Sequence, residues 1–124
     1  MKKLILLVLA ALCLTGCGQG SETAQQAVYR NITAAEAKEI MDTREGYVIL
    51  DTREQYEYDE SHIPGAIVIP HEEILEKAES VLTDKDQLIL VYCRSELAAE
   101  DLVKLGYTNI LEFGGIIDWP YETE

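Results

Sequence analysis

The stretch Gln87–Tyr107, "QLILVYCRSELAAEDLVKLGY", decides the fold. Its opening run, "LILVY", is apolar at every position, the pattern of a strand covered on both faces, and such strands belong to parallel sheets. Beyond Cys93 the period changes to that of a helix. Ala98, Ala99, Leu102, Val103 and Leu105 are placed to face inward, with Gly106 at the C-terminal cap. One cysteine therefore stands where a buried strand turns into a helix.

The same alternation repeats along the chain. "VYRNI" (28–32) reads as a strand, and Thr33 followed by Glu36 makes a capping box that opens a helix running to about Met41. "YVILD" (47–51) is a second buried strand, followed by the polar "TREQYEYDE" as a short helix. "GAIVIP" (65–70) is a strand, "HEEILEKAESVL" (71–82) a helix, "NILEF" (109–113) a strand and "GGIIDWP" (114–120) a turn. Apolar strands separated by helices predict a small α/β domain, a parallel sheet with helices on both faces. Ligands gather at the carboxyl ends of the strands in such sheets. Asp51 and Cys93 each end one.

The N-terminus reads as an address rather than a fold. Lys2 and Lys3 precede an apolar run from Leu4 to Leu14, shorter than the roughly 20 residues a membrane span needs, and suited to a secretory signal over residues 1–16. "LTGC" (14–17) resembles the bacterial lipobox, which implies that Cys17 is lipidated and becomes the mature N-terminus; an ordinary signal cut elsewhere, or an uncleaved anchor, is the alternative. Two acyl chains hold a protein stably on a membrane where one does not. Residues 17–27 then form a lipidated end and a polar tether, and residues 28–124 a single domain. The expected location is the bacterial cell envelope, on the extracytoplasmic side of a membrane.

Charge excludes some partners. The chain carries a net −13, and losing Lys2 and Lys3 with the signal takes −13 to −15. No basic cluster offsets this, so nucleic acid is not an expected partner. With Cys13 gone and Cys17 lipidated, Cys93 is the thiol left in the mature domain. It is buried, reactive or paired with another molecule. Free N–H groups and the dipole at a helix N-terminus stabilise a thiolate or a bound anion, and Arg94 adds a positive charge in sequence.

Several ordered motifs now resemble one family. "DTREQYEYDESHIPGA" (51–66) is similar to Asp-x-Arg and His-Ile-Pro-Gly-Ala signatures of the rhodanese domain, and "GGIIDW" (114–119) to its Gly-Gly-x-x-x-Trp; "LILVYC" and "LGYTNILEF" fall in the same order. The resemblance covers 28–121. It implies a sulfurtransferase fold in which a thiolate takes sulfane sulfur from a small sulfur-containing anion or persulfide donor and passes it to a thiol acceptor, with no metal or organic cofactor. Cys93 matches the nucleophile, with Arg94 and Ser95 matching the end of the substrate-binding loop. Asp51, Arg53, His62 and Trp119 match supporting positions. The plainer roles are a cap and salt bridge for Asp51 and Arg53, turn stabilisation for His62, and core or pocket wall for Trp119. His62, His71 and Cys93 have no ligand spacing for a metal.

The loop departs from the family pattern. A family loop reads Cys-x-x-Gly-x-Arg-Ser, whereas an ungapped alignment from Cys93 puts Glu96 and Ala98 at the glycine and arginine. "SELAAEDLVKLGY" fits the family helix if about four residues are missing between Cys93 and Arg94. So short a connection supplies few N–H groups to surround an anion. Impaired catalysis is the expectation, and a non-catalytic rhodanese-fold binding module the alternative function. A cysteine phosphatase would need Cys-x5-Arg, but Ala99 stands there.

Overall fold

The computed structural model describes residues 28–93 and 95–124. Within them lie β1 (Arg30–Asn31), α1 (Ala34–Thr43), β2 (Tyr47–Asp51), α2 (Gln55–Glu60) and β3 (Ile67–Val68). A 3-10 turn (His71–Glu73) leads into α3 (Ile74–Val81), followed by β4 (Leu88–Tyr92), α4 (Leu97–Lys104), β5 (Ile110–Glu112) and a second 3-10 turn (Ile116–Asp118). The five strands form one sheet in the order β1-β5-β4-β2-β3, and every pairing is parallel. This is the α/β class that the apolar runs predict.

The sheet is buried on both faces because its central strands carry side chains that need cover on both. Successive side chains of a strand point to opposite faces. Ile89 and Val91 of β4 join Ile74 and Ala78 of α3 and Ala98, Ala99 and Leu102 of α4 in one core. Leu88, Leu90 and Tyr92 point the other way, packing with Ala37 of α1, Ile63, Phe113 and Trp119. All five residues of β4 are buried, which explains why the strand is apolar throughout.

Two helix ends carry the caps that the sequence predicts. Thr33 Oγ1 accepts the Glu36 N–H at 3.0 Å and Glu36 Oε1 accepts the Thr33 N–H at 2.9 Å, closing the predicted capping box. At the end of α4, Gly106 takes φ +96°, and the N–H groups of Gly106 and Tyr107 donate to Val103 O and Leu102 O at 2.9 and 3.1 Å. This is the left-handed glycine closure of the helix.

Boundaries differ where the chain lies at an edge. β1 and β3 are each two residues long, shorter than "VYRNI" and "GAIVIP" suggested, because each pairs with a neighbour on one side only. The run "HEEILEKAESVL" begins as a 3-10 turn before α3. Ser95 does not open α4 as its N-cap. Glu96 occupies that position without a side-chain capping bond, and Ser95 Oγ accepts the Leu97 N–H at a long 3.4 Å. The signal, Cys17, the tether and Arg94 lie outside the described residues.

Candidate active site

The C-terminal ends of β2, β4 and β5 are tied side by side by main-chain bonds. Thr52 N–H donates to Tyr92 O at 3.1 Å, and Cys93 N–H donates to Gly114 O at 3.0 Å. Cys93 thus continues β4 by one residue and sits between the segments that leave β2 and β5. It is the free cysteine among the described residues, 7% exposed. Its S–H donates to Thr52 O at 3.6 Å. The first residue of α4 follows after residues 94–96.

The loop after β5 must approach Cys93 closely. A Cβ on Gly115 would fall 3.0 Å from Cys93 O, tighter than an ordinary contact, and Gly114 takes φ +92°. The two glycines of "GGIIDW" therefore have separate reasons, one of space and one of backbone conformation. Gly114 N–H also donates to Glu112 Oε2 at 3.0 Å. Burial pushes the Glu112 carboxyl above its ordinary value, opposed by the Gly114 bond and reinforced by the charge of Glu96.

Asp51 and Arg53 make a buried bidentate pair. Arg53 Nη2 lies 2.6 Å and Nε 3.1 Å from Asp51 Oδ2, and the Arg53 main-chain N–H donates to Asp51 Oδ1 at 2.9 Å. Nη2 also donates to Ser61 O at 2.8 Å, and the guanidinium lies 5.5 Å from the Tyr92 ring centre. Burial works against the Arg53 charge, but the hydrogen bond and charge of Asp51 outweigh it and hold its pKa above the usual value. The salt bridge of the plainer reading is thus present, with the Asp51 carboxylate also accepting the Arg53 main-chain N–H, while Glu54 holds the N-cap position of α2.

Two hollows meet at Cys93. One, of about 160 Å³, is bordered by Arg53, Glu54, Glu57, His71, Glu72 and Ser95 as well as the cysteine and Thr52. The other, of about 450 Å³, runs along Arg53, Glu57 and the Gly115–Asp118 turn. Cys93, Arg53 and Ser95 come together here; His62 and Trp119 border neither hollow. His62 stacks on Tyr58 with ring centres 3.8 Å apart, its Nδ1 is 2.8 Å from Tyr58 O, and its main chain exchanges hydrogen bonds with Glu124. Trp119 packs on Phe113 and Tyr121 and donates its Nε1–H to Glu122 O at 3.1 Å. The sequence did not single out Thr52, Glu54, Glu72 or Ile117 at this site. Only the nearness of "DTRE" to a strand end and of "GGIIDW" to a turn hinted at them.

A parallel sheet that presents one thiol beyond its central strand defines an α/β domain of the single-cysteine kind. Residues 33–120 match the description "Rhodanese-like domain", and the chain belongs to that family. It is 37% identical over 92 residues to the "Putative sulfur carrier protein YrkF" of Bacillus subtilis (strain 168), a match covering 70% of this chain and 49% of that protein. It is 36% identical over 73 residues to the "Thiosulfate sulfurtransferase PspE" of Escherichia coli (strain K12), covering 56% of this chain and 70% of the relative. A solved structure of the Alr3790 protein from Anabaena sp. is similar at TM-score 0.69 and 29% identity, over 75% of this chain and 81% of that one. The chain spans about half the length of the sulfur carrier it matches. Family and fold are those that the motifs implied, and sulfurtransferases are among its relatives.

Proposed function

We propose that the domain carries or transfers sulfane sulfur through a persulfide on Cys93. The observation that bears this reading is the position beyond β4 of the free thiol among the described residues, where two hollows give a small molecule or a partner's thiol access to it. Relatives described as sulfurtransferases support the same chemistry. The Cys93 thiolate attacks the outer sulfur of thiosulfate, the S–S bond breaks, and sulfite leaves with the electron pair. An acceptor thiolate then attacks the outer sulfur of the Cys93 persulfide, and the Cys93 thiolate is the leaving group. The anchor reading adds that Cys17 tethers the domain to the extracytoplasmic face of a bacterial membrane through its lipid, with residues 18–27 as the tether.

Incubating the full chain with thiosulfate or polysulfide and weighing the Cys93 peptide tests the proposal. A gain of one sulfur, absent in Cys93→Ala, is expected; no gain with any donor overturns it.

The binding-module alternative rests on one feature, the short connection of residues 94–96 between Cys93 and α4. A connection shortened by about four residues relative to the family favours slow turnover over loss of the fold. Closing a longer loop costs only about 0.6 kcal/mol per doubling of its length. Inserting four residues, glycine among them, between Cys93 and Arg94 is expected to raise the turnover rate and leave the melting temperature within a few degrees. An unchanged rate removes the loop as the reason for slow catalysis.

A further inference from the structure

The hollows beside Cys93 are bordered by several carboxylates. Glu54, Glu57 and Glu72 border the smaller one, and Glu57 and Asp118 border the larger. Two positively charged or titratable groups face the same space. Arg53 is matched by the buried Asp51, and His71 lies with its Nε2 3.4 Å from Asp101 Oδ2. Arg94 adds at most one positive charge from its place in the sequence next to Cys93. Among the described residues, Glu54, Glu72 and Asp118 border this space while Arg53 and His71 each already stand beside a carboxylate, Asp51 and Asp101.

The crowding is visible in the groups themselves. The Glu54 carboxyl is held above its ordinary value, first by the charge of Glu72, then by desolvation and a hydrogen bond with Glu72, with Glu57 and Glu73 adding to it. The other wall of the larger hollow is hydrocarbon. Ile116 and Ile117 project from the 3-10 turn, and Ile117 is 90% exposed, which places a bare aliphatic side chain beside the entrance. A doubly charged small anion meets carboxylates on one side and the hydrocarbon of Ile116 and Ile117 on the other. A field of one sign in a cleft raises the local concentration of the opposite sign and lowers that of its own.

Resting on the sulfur-transfer reading of Cys93, we infer that Glu54 and Glu72 are specificity-determining residues that turn the site away from anionic donors such as thiosulfate and toward neutral or cationic organic persulfides with a hydrocarbon body. The transfer from such a donor balances without a co-reactant. The Cys93 thiolate attacks the outer sulfur of R–S–SH, the S–S bond breaks, R–S⁻ leaves with the electron pair, and the proton stays on the new Cys93 persulfide. Ile117 is the surface on which R lies.

The test uses the full chain in a nonionic detergent and reads the Cys93 peptide by mass spectrometry. Two thiol reagents of similar size and opposite charge probe the mouth directly: methanethiosulfonate ethyltrimethylammonium and methanethiosulfonate ethylsulfonate. After division by their rates with free glutathione, the cationic reagent is expected to modify Cys93 about tenfold faster at low salt, the lower end of what focusing by a charged cleft gives. The ratio is expected to collapse at about 0.5 M salt, where screening acts within about 4–5 Å, and to fall toward one in Glu54→Gln/Glu72→Gln. A ratio near one at low salt, or one indifferent to salt, overturns the charge selection while leaving sulfur transfer intact. The salt arm needs only the unaltered protein and so decides even if the double variant fails to fold.

Sulfur loading closes the test. The persulfide of cysteamine is expected to load Cys93 faster than thiosulfate at low salt, with thiosulfate gaining in the double variant. Equal or faster loading from thiosulfate in the unaltered chain overturns the inference. Loading from neither donor overturns the sulfur-transfer reading and the donor selection with it, and the reagent ratio shows separately whether the charged mouth exists.

Discussion

Asp51 and Arg53 show what a single pair decides. Asp51 is fully buried and Arg53 is 8% exposed, so each charge depends on the other for what water would have supplied. Removing one partner of a buried pair leaves the other uncompensated, which costs about 3–5 kcal/mol, whereas replacing both with apolar groups is often neutral. Asp51→Asn is therefore expected to lower stability by about that amount in urea unfolding. Asp51→Asn/Arg53→Met is expected to recover much of the loss. A single variant as stable as the parent would show that the pair does not hold the β2 end in place. Cys93 depends on this anchoring because Thr52, between the two charged residues, accepts its S–H.

At the scale of elements, the sensitive junction is the exit from β5. Glu112 ends the strand at 7% exposure, accepts the Gly114 N–H, and Gly114 in turn accepts the Cys93 N–H. Its folded-state pKa is raised by burial, so the folded state holds this proton more tightly than the unfolded one. The stability this contributes is fully present below the ordinary glutamate pKa and is lost as pH rises through the raised value. Glu112→Gln keeps an oxygen for Gly114 and removes the buried charge. The variant is expected to melt higher than the parent at pH 7, with the difference shrinking by pH 4. Melting curves at the two pH values check it, and a lower melting temperature for the variant at pH 7 contradicts it.

For the whole molecule the governing quantity is the net charge of −13. Self-repulsion opposes compaction, and salt screens it over about 10 Å at 0.1 M. The melting temperature is expected to rise between about 0.01 and 0.2 M sodium chloride, as followed by circular dichroism. A fall over that range would mean that the local pairs Lys38–Asp42 and Lys85–Glu79 outweigh the mean field. The inferred donor preference at Cys93 is the local form of the same charge excess, and the two measurements respond to salt for the same reason.

The sequence alone determined the parallel α/β architecture, the Thr33–Glu36 box, the Gly106 closure and a cysteine at the end of a buried strand. These follow from the spacing of apolar residues and from caps whose partners lie a few positions away, so neighbouring residues suffice to specify them. It also named the Asp51–Arg53 pair, which closes over two positions. Only the tertiary structure decided that His62 and Trp119 stand away from the cysteine and that Glu54, Glu72 and Ile117 stand beside it. Those side chains come from separate turns after β2, β3 and β5, and solvated turns carry no period. Where they meet depends on how two packed cores hold the strand ends together, a long-range result that no single segment contains.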